Sequence, residues 1–367
     1  MEKGYVPGEI LTLKPDWFVL TDGTAWKVPA QVKEIRSPGK VKVFIDHETP
    51  CGSEAVAAQQ KALINFAKDN ALELFNGYGV SYQIMLDRHV KSGDVVLHCG
   101  DFGSIYGCAG ALAVKVTPEE MAKAIESGEI SWQVPESAAV ALTGSLKAPA
   151  TGKDAVLALL AKKHSFAGRL LYVSGAENLA EADRLSFFQL LSASGCVAAL
   201  SAEDVDEGAA ELVLDAVVPM VSDASDLSAA VPASEVEAIA PTAVFVGGCS
   251  CGRIEDIRAA AKAIAGRRVN RYIRLTVAFA TTEVYIQAAN EGLITTLMEG
   301  GAVVMNQGCS ACYAHSQGLV DGKDVVLSAG SRVLPNCNGE GFVKTYLCSA
   351  ATAIESAVAG HVVPAQG

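Results

Sequence analysis

The stretch that decides the fold is Ala243-Val-Phe-Val-Gly-Gly-Cys-Ser-Cys-Gly-Arg-Ile-Glu-Asp-Ile-Arg258. Its apolar start is typical of a buried strand, its glycines predict a turn, and we expect a helix to begin near Ile254. A strand that leads through a glycine-rich loop into a helix is the repeating unit of a parallel sheet covered by helices. The stretch therefore predicts an α/β fold, with Cys249 and Cys251 in the loop at the carboxyl end of a strand, where such sheets bind ligands.

A second thiol-bearing loop, Gly308-Cys-Ser-Ala-Cys312, follows the apolar run at residues 302–305. One thiol from the first loop and two from this one give three soft ligands that can converge. This set is typical of an iron–sulfur cluster that leaves one iron open. A tetrahedral zinc site that also uses Cys251 is the alternative, because the pattern CxC followed by CxxC suits zinc as well.

Outward from these loops, the chain of 367 residues is too long for one ordinary domain. Near the start, Val41-Lys-Val-Phe-Ile45 predicts a strand that delivers Asp46 and His47 at its end, and a helical pattern follows over residues 53–69. Proline- and glycine-containing stretches at 146–152 and near 241 predict domains at 1–148, 149–240 and 241–367. The acidic Ala/Asp/Ser-rich residues 201–240 are expected to be loosely structured.

Composition excludes several classes of protein. The net charge is −12 and no basic block occurs, so a nucleic-acid partner is not expected. No apolar run approaches about 18 residues and no secretory signal is visible, so we expect a cytoplasmic protein without a membrane partner. Ten cysteines in such a chain favour reduced thiols or metal ligands over a disulfide framework.

The motifs taken together resemble one family. Gly-Gly-Cys-Ser-Cys-Gly-Arg-Ile-Glu-Asp at 247–256 resembles the Gly-Ser-Cys-Thr-Asn-Gly-Arg-x-Glu-Asp signature of the aconitase and 3-isopropylmalate dehydratase large-subunit superfamily, and the CxxC loop resembles its second signature. Further pieces follow in the order of the family, nearly from the start of the chain to its end: Asp46-His47 with Pro50, Gly79-Val-Ser-Tyr-Gln83, Gly100-Asp101, Gly107-Cys-Ala-Gly-Ala111, Trp132-Gln-Val-Pro-Glu136, Arg332 and Tyr346-Leu-Cys-Ser349.

The resemblance implies three αβα domains of the aconitase type around a central cleft. It implies the large subunit of a hydro-lyase that acts on a small hydroxy-carboxylic acid through the open iron of a [4Fe-4S] cluster. By motif, the cluster ligands are Cys249, Cys309 and Cys312. The resemblance also implies catalytic roles for Asp46, His47 and Asp101, and substrate-binding roles for Gln83, Ser104, Arg253 and Arg332.

Several positions depart from the family pattern. Gly103 stands where the family has a catalytic histidine, Tyr82 where it has another, and Ala193 where it has a glutamate. The second arginine of the family's run after residue 331 is also missing. The cluster side of the site is thus expected to be kept, while the substrate side is rebuilt for a different acid.

Two additional thiols leave other functions open. Cys251 and Cys337 are possible extra ligands. If one of them closed the cluster, the chain would be a cluster-binding protein without hydratase activity. A zinc-stabilised binding module of the same fold is the third reading.

The end of the chain bears on the expected partner. Single-chain members of the family finish with a swivelling fourth domain, which supplies a catalytic base, a serine beside an arginine. Nothing after Val363 resembles that domain. A separate small subunit that carries it is therefore expected.

Overall fold

The structure is a computed structural model, which describes residues 5–162, 166–205, 208–236, 239–313, 316–318, 320–331 and 343–366. In this part of the chain, helices and strands alternate and form three units, each built on its own main sheet. The α/β class expected from the sequence is confirmed. No helix among the described residues combines the length and the apolar character needed to cross a membrane.

The first unit is a parallel sheet with strand order β4-β3-β2-β5-β6, beside an antiparallel ribbon of β1 and β7. Its strands are β1 (Ile10–Leu13), β2 (Trp17–Thr21), β3 (Val41–Ile45), β4 (Glu73–Asn76), β5 (Val95–His98), β6 (Leu112–Lys115) and β7 (Ile130–Gln133). Its helices are α1 (Glu54–Asp69), α2 (Ser81–Arg88) and α3 (Pro118–Ser127). Every residue of β3 is buried, as expected for a strand with helices on both faces of its sheet.

The second unit is a parallel sheet with strand order β10-β9-β8-β11. Its strands are β8 (Ser137–Thr143), β9 (Leu170–Ser174), β10 (Ala198–Ser201) and β11 (Ala210–Val213), and its helices are α4 (Gly152–Ala161) and α5 (Glu181–Leu191). The unit begins with β8, so its sheet takes in residues on the amino-terminal side of residue 149.

The third unit is a mixed sheet with strand order β13-β12-β18-β17-β14-β15-β16. Its strands are β12 (Met220–Asp223), β13 (Val231–Pro232), β14 (Ala243–Val246), β15 (Arg274–Val277), β16 (Val303–Val304), β17 (Val325–Ser328) and β18 (Lys344–Leu347). Its helices are α6 (Ile254–Ile264), α7 (Thr282–Asn290), α8 (Leu293–Glu299) and α9 (Ala350–Ala359). The strand predicted at 243–246 and the helix predicted from Ile254 are confirmed.

Residues 201–240 are more ordered than their composition indicates. They contain β11, β12 and β13, and β12 pairs antiparallel with β18, as in the pair Ser222 and Leu347. The expectation of a loosely structured segment was therefore wrong for these strands. Their partners lie far away in the sequence, and a local pattern does not reveal such pairings.

The carboxyl ends of the first and third sheets meet face to face. The Val80 amide donates to the Ala280 carbonyl at 2.8 Å, and the Thr282 amide donates to the Tyr78 carbonyl at 2.8 Å. Gly79 allows this close approach, because a Cβ there would lie 2.3 Å from the Ala280 oxygen. Loops from both sheets are thereby gathered into one region.

Candidate active site

Asp46 and His47 form a buried corner at the carboxyl end of β3. The exposed fraction of Asp46 is 1% and that of His47 is 9%. His47 Nδ1 lies 2.6 Å from Asp46 Oδ1, and Asp46 Oδ2 accepts from the Ser81 amide at 2.7 Å. Since the carboxylate can only accept, Nδ1 carries the hydrogen, and the orientation of the imidazole is fixed.

Asp22, which the sequence reasoning missed, organises this corner from the end of β2. Its Oδ1 accepts from the amides of Asp46 at 3.2 Å and His47 at 3.1 Å, and lies 3.2 Å from His47 Nδ1. Its Oδ2 accepts from Gln60 Nε2 at 3.0 Å and from the Glu48 amide at 3.4 Å. The available signal was an acid placed directly after an apolar strand.

Asp22 and Asp46 both stabilise a positive charge on His47. Burial lowers the pKa of His47, but the charge of Asp46 and the hydrogen bonds to Asp22 and Asp46 outweigh it and raise the pKa to about 10. Burial raises the pKa of Asp22, yet its hydrogen bonds with His47 and the nearby positive charge bring that pKa well below its usual value. The corner therefore holds an imidazolium between two carboxylates at neutral pH.

The ring of His47 is also fixed by shape. A Cβ on Gly23 would lie 2.5 Å from His47 Cδ2, so a residue without a side chain is needed there. Tyr313 packs edge-on against the ring with 4.6 Å between centroids, and its hydroxyl donates to the Gly23 carbonyl at 3.2 Å. Tyr313 directly follows Cys312, so the thiol loop and the histidine corner are in contact.

Cys249, Cys309 and Cys312 all lie in this region and are buried, with exposed fractions of 5%, 6% and 5%. The Cys309 amide donates to the Asp46 carbonyl at 2.9 Å. Gly308 adopts a φ of +125°, and a Cβ there would lie 2.8 Å from the Asp46 oxygen, so the CxxC loop is pressed directly against the acid corner. Among the described residues, ligating atoms of Asp46, His47 and Cys309 come within 4.8 Å of one another.

The thiol of Cys312 lies between two glycines from separate loops. A Cβ on Gly248 would lie 3.1 Å from Cys312 Sγ, and a Cβ on Gly330 would lie 3.2 Å from the same atom. We call Gly248 and Gly330 the glycine clasp. Ser310, within the CxxC loop, has a φ of +49°, a strained conformation of the kind that clusters at functional sites.

Cys251 has different neighbours. It packs in the core of the third unit with Val246 and Ile257, whereas Cys249 and Cys309 share a cluster with Tyr82. Burial raises the pKa of Cys251 well above its usual value.

Gln83 and Arg253 join the first unit to the first thiol loop. Gln83 Nε2 donates to the Cys249 carbonyl at 3.1 Å, and its Oε1 accepts from Arg253 Nη1 at 3.2 Å. Arg253 Nη2 also donates to Asp87 at 3.1 Å. Both residues predicted to bind substrate thus lie beside Cys249, and part of their hydrogen-bonding capacity is already used.

Asp101 and Ser104 have other partners. Asp101 Oδ1 accepts from Lys115 Nζ at 2.7 Å near the surface. The Ser104 hydroxyl is buried, donates to the Phe188 carbonyl at 2.6 Å and contacts the Ser192 hydroxyl in the second unit. Two other predicted residues, Arg332 and Cys337, lie outside the described residues.

Beside Gly103 lies the imidazole of His98, the last residue of β5. A Cβ on Gly103 would lie 1.9 Å from His98 Nε2, so the His98 ring occupies the space that a side chain at 103 would enter. Burial and the nearby charge of Lys115 lower the pKa of His98 to about 4, so the ring is neutral. His98 contacts the rings of Tyr82 and Tyr106, each at 6.3 Å between centroids.

Several buried polar atoms near this ring cluster make no hydrogen bond within the described part of the chain. They include the hydroxyls of Ser81 and Tyr106. Buried polar atoms are normally paired, so unpaired ones close to a site are candidates for contact with a ligand or with water. Tyr82, by contrast, accepts from the Phe102 amide at 3.3 Å.

The donor set fits an iron–sulfur cluster with three protein ligands. The three thiols lie in the loops where the first and third sheets meet, and neither glycine of the clasp places a side chain beside Cys312. Cys251 packs away from them in a separate core. That packing does not favour the four-cysteine zinc site.

The fold and the site define an α/β protein whose thiols and charged groups converge where parallel sheets meet. A sequence profile of the Aconitase family (aconitate hydratase) matches residues 22–176 and 209–360, and the chain belongs to this family.

Relatives match along almost the whole chain. The 3-isopropylmalate dehydratase large subunit 2 of Archaeoglobus fulgidus is 31% identical, over 97% of this chain and 94% of its own length. The homoaconitase large subunit of Thermus thermophilus is 30% identical, over 97% and 92% respectively. The crystal structure of Thermococcus kodakaraensis aconitase X (holo-form) has a similar fold, with a TM-score of 0.56 and 10% identity over 88% of this chain and 84% of that one.

Proposed function

We propose that this chain is the large subunit of an iron–sulfur hydro-lyase that adds water to, or removes it from, a small hydroxy-carboxylic acid. The observation that carries the proposal is the contact between the CxxC loop and the acid corner, where Cys309 binds the Asp46 carbonyl. Proton-transfer groups and soft metal ligands thereby lie side by side. The names of the relatives support a dehydratase.

Cys249, Cys309 and Cys312 are the proposed ligands of a [4Fe-4S] cluster. When bound, such a cluster supplies a Lewis-acidic iron with an open position for a hydroxyl and a carboxylate. His47 holds a proton, stabilised by Asp46 and Asp22, for the oxygen that leaves as water. Tyr313 and Gly23 keep the ring in one orientation, so the direction of proton transfer is set before substrate binds.

The proposal for the substrate side is a site rebuilt with different groups. His98, whose ring fills the space at Gly103, supports this, as do the unpaired hydroxyls of Ser81 and Tyr106. Neutral donors of this kind suit hydroxyl or carboxyl oxygens without adding charge. Gln83, Arg253 and Arg332 remain the proposed carboxylate contacts, while the roles of Asp101 and Ser104 stay predictions.

We also infer a separate small subunit that supplies the catalytic base, because relatives matched over nearly their full length are named large subunits. Conversion of 3-isopropylmalate or aconitate by the purified chain alone would contradict this part of the proposal.

The central test is anaerobic reconstitution with ferrous iron and sulfide. We expect about four irons and four sulfides per chain, and a spectrum that changes when 3-isopropylmalate or aconitate is added. A colourless protein with one tightly bound zinc would overturn the cluster assignment. A cluster that is indifferent to every hydroxy acid tried would favour the non-catalytic alternative.

The ligand assignment has its own test. Cys309→Ser should lose most of the iron, while Cys196→Ser, which changes a cysteine packed against the core of the second unit, should retain it. A full complement of iron in Cys309→Ser would show that the ligand set is wrong.

A further inference from the structure

Lys153 is a buried cation that belongs to the second unit but ends among the thiol loops of the third. It lies in the first turn of α4, and its exposed fraction is 3%. Its Nζ donates to Ser250 Oγ at 3.1 Å, to the Gly330 carbonyl at 2.9 Å and to the Ala329 carbonyl.

This position is electrostatically unfavourable for a lysine. The amino-terminal end of a helix carries partial positive charge, and a buried ammonium loses its hydration. Two buried carboxylates, Asp154 and Asp256, interact with its charge. Three oxygen acceptors replace the water that Nζ would otherwise bind. Burying an ammonium group costs stability, and an apolar side chain at the same buried position is often as stable. Helix formation alone therefore does not account for a lysine at this position.

The contacts of Lys153 fall on the two loops that carry the glycines of the clasp. Ser250 follows Cys249 in the loop that contains Gly248, and the Ser250 carbonyl also accepts from Ser186 of α5 at 2.9 Å. Gly330 is the other glycine of the clasp, beside the thiol of Cys312. One ammonium group therefore bonds to the two loops whose separation decides how much space Cys312 has.

We propose that Lys153 is a positioning residue for the thiol site, which ties residues 247–252 and 329–331 to the second unit and keeps the glycine clasp closed on Cys312. It also places a fixed positive charge next to loops that bear thiolate ligands, where negative charge accumulates once metal binds. The second point rests on the proposed function, whereas the ordering of the loops is a property of the protein without metal.

Hydrogen exchange of the metal-free protein tests the loop ordering. In Lys153→Met, which keeps the length of the side chain but removes its charge, amides in 247–252 and 329–331 should exchange at least about tenfold faster. Amides of α9 should be unchanged. Lys162→Met is the matched control, because Lys162 lies at the other end of α4 and its ammonium donates to the Glu211 carbonyl at 2.7 Å, at the surface.

Two further variants keep the test decisive if Lys153→Met folds poorly. Lys153→Arg retains the charge and should restore most of the protection. Ser250→Ala removes a single contact and should loosen 247–252 more than 329–331. Unchanged exchange in both loops of Lys153→Met, or an equal increase throughout the protein, would overturn the positioning role.

The effect of the Lys153 charge on bound iron is measured as the rate of iron release to a chelator after reconstitution. We expect release at least about tenfold faster from Lys153→Met than from the wild type, with Lys153→Arg close to the wild type. Equal release rates would overturn the charge effect. If the wild type forms no cluster, the proposed function fails, yet the exchange experiment still decides whether Lys153 orders the loops.

Discussion

The acid corner and the thiol loops lie in contact but are held in different ways. At the acid corner, the single carboxylate of Asp22 accepts hydrogen bonds from backbone amides, from Gln60 and from His47. The thiol loops depend on close backbone approach at Gly308 and the glycine clasp, and on one cation, Lys153. The acid corner should therefore be sensitive to the loss of a charge, and the thiol loops to the addition of side-chain volume.

The largest effect is expected for Asp22→Asn, which removes the charge but keeps the shape. Its amide would face several donors, so we expect a loss of about 3 kcal/mol in the free energy of unfolding. Urea unfolding of the metal-free protein measures it. Asp69→Asn, at an exposed helix end, should change little. Similar stability of the two variants would show that the corner does not depend on Asp22.

The difference in stability between the wild type and Asp22→Asn should depend on pH. Because the pKa of Asp22 is lowered in the folded state, its stabilisation is present above its unfolded pKa of about 4 and is lost as pH falls. The difference between wild type and Asp22→Asn should therefore shrink on acidification below about pH 4. A difference that stays constant down to pH 2 would contradict this sign.

An intermediate effect is expected for Gly103→Ala. The new methyl group would lie 1.9 Å from His98 Nε2, so the ring must move, at a cost of about 2 kcal/mol. His98→Ala in the same protein should relieve the clash, and a double-mutant cycle measures the coupling. Gly39→Ala, where no atom lies within 4 Å of the added Cβ, is the control. Strict additivity of the two changes would argue against contact between residues 98 and 103.

The smallest effect is expected for Gly330→Ala, which narrows the clasp. The Cβ would lie 3.2 Å from Cys312 Sγ, a contact that a shift of a few tenths of an ångström relieves. We expect less than about 1 kcal/mol of lost stability, but slower uptake of iron during reconstitution. Uptake at the wild-type rate would show that the space beside Cys312 is not limiting.

Local sequence signals placed several candidate residues at strand ends and in glycine-rich loops. Asp46 and His47 follow an apolar run, and the thiols lie in glycine-rich loops after strands, but the choice of Cys249, Cys309 and Cys312 as ligands and the roles of Asp46 and His47 came from the family resemblance and stay predictions. In parallel sheets these signals are reliable, since strand ends and ligand-binding loops coincide. The α/β class followed from the same alternation.

What the sequence did not reveal depends on distant partners. No signal in the sequence singled out Lys153, whose acceptor Gly330 lies 177 positions away. His98 was not singled out either, and its packing against Gly103 is visible only in the structure. Ser104, whose predicted role in binding substrate stays a prediction, donates to the Phe188 carbonyl of the second unit, a contact that the sequence did not reveal. A pattern in the sequence gives the chemistry of a side chain but not its direction.

The pairing of β12 with β18 has a consequence for folding during synthesis of the chain. The partner of Asp223 is Tyr346, so the edge of β12 that pairs with β18 can be covered only after nearly the whole third unit has been translated. At synthesis rates of about 5–20 residues per second, that edge waits on the order of 6–25 s for its neighbour. During this interval the nascent protein carries an open strand edge, the kind of surface that invites mispairing with other chains.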